Sequence, residues 1–195
     1  MLSILKRMVA KFHHEEDGGI AVESVLVFPM LTWAYLATFV YFDAFRSQST
    51  ALKAAYTISD ALSRETDYIT NQYVTSVWRL HRFLTITSQR TKLRISVITF
   101  DADDDRYYVI WSRNKGAMGN LNDGNISNIE DQLPVMPDGE IVIVVQTEVV
   151  YEPIFSIGLE AFVFENLIVT RPRFASQLCY SQNGTDAGRI CEREA

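Results

Sequence analysis

Apolar positions change their spacing along this chain, and each spacing predicts an element. From Ser24 to Phe42 (SVLVFPMLTWAYLATFVYF) no residue is charged. At a rise of about 1.5 Å per residue this run nearly matches the roughly 30 Å hydrocarbon layer of a bilayer. Adding Ile20, Ala21, Val22 and Glu23 lengthens the helix enough to span with some tilt. Beyond it, Ala51, Leu52, Ala54, Ala55, Ile58, Ala61 and Leu62 recur at three- and four-residue steps, opposite Arg46, Lys53, Thr57, Asp60 and Arg64. Thr66 or Asp67 is the expected N-cap of a second amphipathic helix, with Ile69, Tyr73, Val77, Leu80 and Leu84 as its apolar stripe.

Near Lys92 the pattern turns to β-branched and aromatic residues. Leu93 to Phe100 and Tyr107 to Trp111 read as a β-hairpin whose tip carries Asp101, Asp103, Asp104 and Asp105. Residues 114–139 read as a long polar loop of the kind that is mobile or binds something. Ile141 to Tyr151 (IVIVVQTEVVY) is the strongest strand; Gln146 and Glu148 alternate as expected of a sheet covered on one face. Pro153 ends it, and Leu167 to Thr170 is a shorter last strand. The fold class is therefore α+β: a long N-terminal transmembrane helix, a second amphipathic helix and an antiparallel sheet of about four strands.

Net charge is −6, which argues against a nucleic-acid partner, since such partners select basic faces. The two cysteines, Cys179 and Cys191, bracket a Gly-containing segment and read as a local disulfide in an exported domain. They lack the histidines that would make a zinc site. The aspartates of the hairpin tip suggest calcium by residue type, but the loop glycine and terminal glutamate of an EF-hand are missing. The run His13-His14-Glu15-Glu16-Asp17 reads as a solvated leader, because adjacent residues on a regular element cannot all face one ion. Outside that leader His81 is the only histidine, and it reads as a surface or core-packing residue beside Arg79 and Arg82. No nucleophile elbow, phosphate loop, zinc-protease or cofactor motif is present, so no catalytic residue, metal or cofactor is expected.

A core helix in a soluble protein and a cleaved secretory signal are the rival readings of the apolar run. A secretory signal has a shorter apolar region and ends at a small-residue site, whereas this run continues into Asp43-Ala44-Phe45-Arg46. Lys6, Arg7 and Lys11 precede the run and Arg46 and Lys53 follow it, which favours an N-terminus inside.

One carboxylate interrupts the start of the apolar segment. Glu23 is the fifth residue after Gly18, and an ionisable group in a membrane helix marks a functional position. Gly18-Gly19-Ile20-Ala21-Val22-Glu23 followed by an apolar helix resembles the type IV prepilin signature. More narrowly, AVESVLVFPML resembles the AVEFALVLPLL stretch of TadE-like pseudopilins of the tight-adherence (Flp) pilus system, with Pro29 at the matching proline. Trp111-Ser112-Arg113, the valine-rich strand ending Tyr151-Glu152-Pro153, and Arg171-Pro172-Arg173 also look similar. Two features depart from the pattern: Glu15-Glu16-Asp17 stand where the family tends to be basic, and Ser24 replaces a phenylalanine.

The resemblance implies a cytoplasmic leader (1–18), a pilin-like transmembrane helix (19–43) kinked at Pro29, a periplasmic helical region (44–88) and a β-rich periplasmic domain (89–195) in the bacterial inner membrane. It implies cleavage by a prepilin peptidase between Gly18 and Gly19. The new α-amino group could then pair with Glu23 of a neighbouring subunit, offsetting the cost of burying both charges. Expected partners are that peptidase, other pilins or pseudopilins, the pilus secretion machinery and membrane lipid. The alternative is an uncleaved, single-pass, membrane-anchored periplasmic binding or scaffold protein.

Overall fold

The computed structural model describes residues 19–86, 90–155 and 157–191. Gly18 and the leader before it lie outside the described residues. The first element, α1, spans Gly19–Ser63 as one 45-residue helix that continues through Pro29 and through position 43, where the membrane segment is expected to end. Its side chains divide by length rather than by face. Before Val40 they are mostly exposed; from Val40 a stripe of Ala44, Ala51, Ala54, Ala55, Ile58 and Leu62 is buried. Alanines in this stripe let the helix axis approach the sheet closely, since no long side chain holds the two apart.

Helix α2 covers Asn71–Thr85. Its N-cap is Thr70, whose hydroxyl oxygen accepts a hydrogen bond from the Tyr73 backbone N–H at 3.1 Å, and not Thr66 or Asp67. The buried face is Val74, Val77 and His81. Leu80 is exposed, so the expected leucine stripe is displaced by about one position around the helix.

Four strands follow: β1 (Thr91–Asp101), β2 (Arg106–Lys115), β3 (Ile141–Tyr151) and β4 (Phe162–Thr170). They form one antiparallel sheet in the order β2-β1-β3-β4. β4 begins five residues earlier than its LIVT core suggests, because Phe162 and Phe164 pair with Tyr151 and Val149. The short strands β5 (Tyr180–Ser181) and β6 (Arg189–Ile190) make a separate hairpin.

Because side chains alternate across a strand, the apolar run of β3 feeds two cores. Ile143 and Val145 face the helices, joining Ile58, Leu62, Val74, Leu93 and Ile95. Val142 and Val144 face the other way, against Leu121, Ile126, Ile129 and Met136 of the segment between β2 and β3. The sheet is thus covered on both faces over this half. The segment 114–139, expected to be a mobile or binding loop, lays its apolar residues, spaced among turn residues, on the sheet as a cover, helped by short 3-10 turns at Ile126–Asn128 and Glu130–Gln132. Gly116 makes the entry to this segment possible. At φ +84° it passes so near β1 that an added Cβ would lie 2.4 Å from the Thr91 carbonyl oxygen. Gln146 and Glu148 sit toward the uncovered end, where Arg94 Nε donates to Gln146 Oε1 at 2.8 Å and Lys92 forms an ion pair with Glu148.

His81 is fully buried, and neither ring nitrogen has a hydrogen-bond partner among the described residues. Burial in an apolar setting disfavours the imidazolium, so its pKa is pushed down from 6.5 to about 4.

Two stability measurements check this description. Met136→Ala should destabilise the head by about 2–4 kcal/mol, as truncation of a core side chain does, seen as a lower denaturant midpoint; an unchanged midpoint would mean that the segment merely rests on the sheet. Stability should also fall with acid. The unfolded chain takes up a proton at His81 near pH 6.5 while the folded chain resists until about pH 4. The contribution is therefore complete above pH 6.5 and lost progressively toward pH 4, on the order of 3 kcal/mol in all. His81→Leu should flatten this window; equal slopes in both proteins would assign the acid sensitivity elsewhere.

Candidate anchoring and assembly site

The outward half of α1, from Gly19 to Phe39, is about 30 Å long at about 1.5 Å per residue. Ile20, Leu26, Phe28, Met30, Leu31 and Trp33 project from it on several sides. Among the described residues no apolar surface of the head covers them, and a nonaqueous environment or other helices would satisfy this half. Three of its hydroxyls are satisfied from within. Ser24, Thr32 and Thr38 donate their hydroxyls to the carbonyls of Ile20, Phe28 and Ala34, at 2.7, 2.9 and 2.8 Å. Each bond runs back one helical turn and requires no water, as a lipid-facing helix demands.

Glu23 lies one turn into α1, exposed, with no partner among the described residues. It is the one charge between Gly19 and Phe42. Gly19 is the first residue of the helix, and nothing lies within 4 Å of where its Cβ would be. The fold therefore does not require a glycine there. Pro29 lies inside the helix; its ring nitrogen cannot donate to the carbonyl of Val25. Gly19, Glu23 and Pro29 thus lie together on the outward half, while Gly18 is outside the described residues.

The boundary between the two halves is held by a group that sequence reasoning did not identify. Tyr151, the last residue of β3, donates its hydroxyl to Asp43 Oδ2 at 3.0 Å and lies 3.4 Å from the Val40 carbonyl oxygen. Burial, reinforced by the Asp43 carboxylate, pushes the Tyr151 pKa up to about 12, so the phenol stays a donor at neutral pH. Asp43 is the first charge after the apolar run, and Tyr151 ends the strongest strand; both positions are legible, but their meeting is a matter of tertiary structure.

At the far end of the head, Cys179 and Cys191 form the expected disulfide, with Cα atoms 4.5 Å apart. The chain just after Cys179 is not a loose tail. Leu178 and Tyr180 are buried in the helix-side core, and the Trp111 indole N–H donates to the Leu178 carbonyl at 2.7 Å. Ile69 exchanges backbone hydrogen bonds with Cys179 and Ser181, both at 2.9 Å. The disulfide closes the β5–β6 hairpin, beside an open polar groove lined by Thr66, Tyr68, Ser176, Gln177 and Arg189.

The hairpin tip is held by its own carboxylates and by Asp138, whose Oδ1 accepts the Ala102 backbone N–H at 2.9 Å. Asp101 Oδ1 accepts the backbone N–H groups of Asp103 and Asp104 at 3.1 and 3.3 Å, and Asp104 Oδ2 accepts the Tyr108 hydroxyl at 2.5 Å. These bonds give the carboxylates a role in the turn itself. Among the described residues no group of three or more His, Cys, Asp or Glu is placed to hold a metal ion.

Comparison of the chain with protein-family models, with curated proteins and with solved structures gives no match, so function has to be argued from these residues.

Proposed function

We propose that this chain is a minor pilin or pseudopilin of the tight-adherence (Flp) type that takes part in pilus biogenesis. In this reading α1 holds it in the bacterial inner membrane, N-terminus cytoplasmic and head periplasmic. A prepilin peptidase cleaves between Gly18 and Gly19, and the released helix assembles with other pilins or pseudopilins through the pilus secretion machinery. The observation that carries the reading is α1 itself. One helix is apolar and unpartnered over its outward half and is part of the head's core over its second half. A subunit built this way can exchange lipid for neighbouring helices without unfolding its head.

Glu23 supplies the chemistry of that exchange. After cleavage the amino group of Gly19 is positive at neutral pH, and a neighbour's Glu23 is its nearest natural counter-charge in an apolar bundle. The lack of any requirement for glycine in the fold at position 19 supports a role in processing rather than in packing.

A second reading is an uncleaved, single-pass periplasmic binding or scaffold protein, and the open polar groove beside the disulfide favours it. The mature N-terminus separates the two. Intact mass of the protein from cells containing a prepilin peptidase should correspond to a chain beginning at Gly19; a full-length chain from such cells rules out the pilin reading. Glu23→Ala should still be cleaved yet enter assemblies poorly, scored by the fraction recovered with sheared filaments or cross-linked oligomers. Recovery equal to the unaltered protein would remove Glu23 from any pairing role.

A further inference from the structure

The described residues of the β3–β4 connection, 152–155 and 157–161, run alongside α1 where the helix enters the head. From Pro153 to Leu159 its sequence (PIFSIGL) is uncharged, and Glu152 and Glu160 bracket it. Ile154 is 68% exposed and Phe155 41%. Surface connections ordinarily carry polar and turn residues, so two large apolar side chains at such a tip need a partner.

The position of the loop says which partner. The Phe155 ring stands edge-on to Phe39 with ring centroids 6.4 Å apart. Phe39 precedes Asp43 by about one helical turn, some 6 Å along the axis. The loop therefore reaches back past Asp43, the first charge after the apolar run, to the level of that run. Tyr151, immediately before the loop, holds Asp43 at 3.0 Å, so this level is locked to the helix. On the adjoining side Phe45, Leu159, Phe162 and Val163 help line an open groove of about 480 Å³ between α1 and the edge strand β4. The apolar surface of the span thus continues onto the head.

We propose that the β3–β4 loop is a second membrane contact: Ile154 and Phe155 enter the interfacial layer of the bilayer that α1 spans and seat the head on the lipid surface. The inference rests on the reading of α1 as a membrane span. Lipid is the occupant because the patch is continuous with the outward surface of α1 and its depth is fixed by the same helix. Glu152 and Glu160 then lie at headgroup level and limit the insertion to the tip between them. The head does not swing on its helix; it rests on two points.

Spin labels on the full chain test this, with Cys179 and Cys191 paired and the protein reconstituted in phosphatidylcholine vesicles. Single labels are placed at Ile154→Cys, at Leu31→Cys in the span, and at Val135→Cys, which is 96% exposed on the segment covering the opposite sheet face. Relaxation by oxygen, which concentrates in lipid, is compared with relaxation by a water-soluble nickel chelate. Labels at 31 and 154 should both favour oxygen, with 154 the shallower, while 135 favours the chelate. Oxygen preference at 31 with chelate preference at 154 overturns the loop contact and leaves the span intact. Chelate preference at 31 overturns the span and the inference with it. A label at 154 shielded from both reagents means a second protein surface covers the loop, and the lipid assignment fails.

Discussion

Because α1 runs without a break from Gly19 to Ser63, whatever its outward half does is transmitted to the head through a rigid rod whose far end is core. Ile58 and Leu62 on this helix are fully buried against the sheet, so it cannot be withdrawn without dismantling the head. Two environments act on one element. The outward half has apolar residues on several sides and satisfies the hydroxyls of Ser24, Thr32 and Thr38 internally; the inner half is apolar along one stripe, with charges such as Lys53 and Asp60 turned outward.

The change of environment falls within about one helical turn, and three contacts mark it. Val40 is the first buried residue of α1, Asp43 accepts the Tyr151 hydroxyl, and Phe39 meets Phe155. Asp43 is the first charge after the apolar run, and a buried phenol satisfies one of its oxygens. A charge-assisted hydrogen bond of this kind is stronger than a neutral one. It joins the sheet to the helix at the level where α1 passes from exposed to buried, so the outward half and the head are fixed relative to one another.

The head is a sheet with a core on each face. Helices α1 and α2 cover one face and the segment between β2 and β3 covers part of the other. That second cover explains why Ile141 to Val145 is apolar at every position, and it accounts for the length of a connection that carries little regular structure. The segment Leu178–Ser181 completes the helix-side core through the Trp111 and Ile69 hydrogen bonds, so the disulfide has only the β5–β6 hairpin to close.

Local pattern alone determined the elements of this protein. An uncharged run must be a helix of membrane length, β-branched runs must be strands, and two cysteines around a short turn can reach each other. Those conclusions follow from backbone hydrogen bonding and side-chain period, which act between near neighbours in the chain. Residues whose meaning depends on a distant partner were decided only by tertiary structure. Thr70 caps α2 because Ile69 is already fixed by pairing with the chain at Cys179 and Ser181. His81 displaces Leu80 from the buried face because the helix rotates to fit the sheet, and the turn-rich segment after Gly116 becomes a lid because β3 offers it a second apolar face. Asp43 and Tyr151, 108 residues apart, meet only when the sheet docks on α1. Spacing along the chain carries no information about such pairs, since the free energy that joins them comes from burying surfaces that the folded sheet creates.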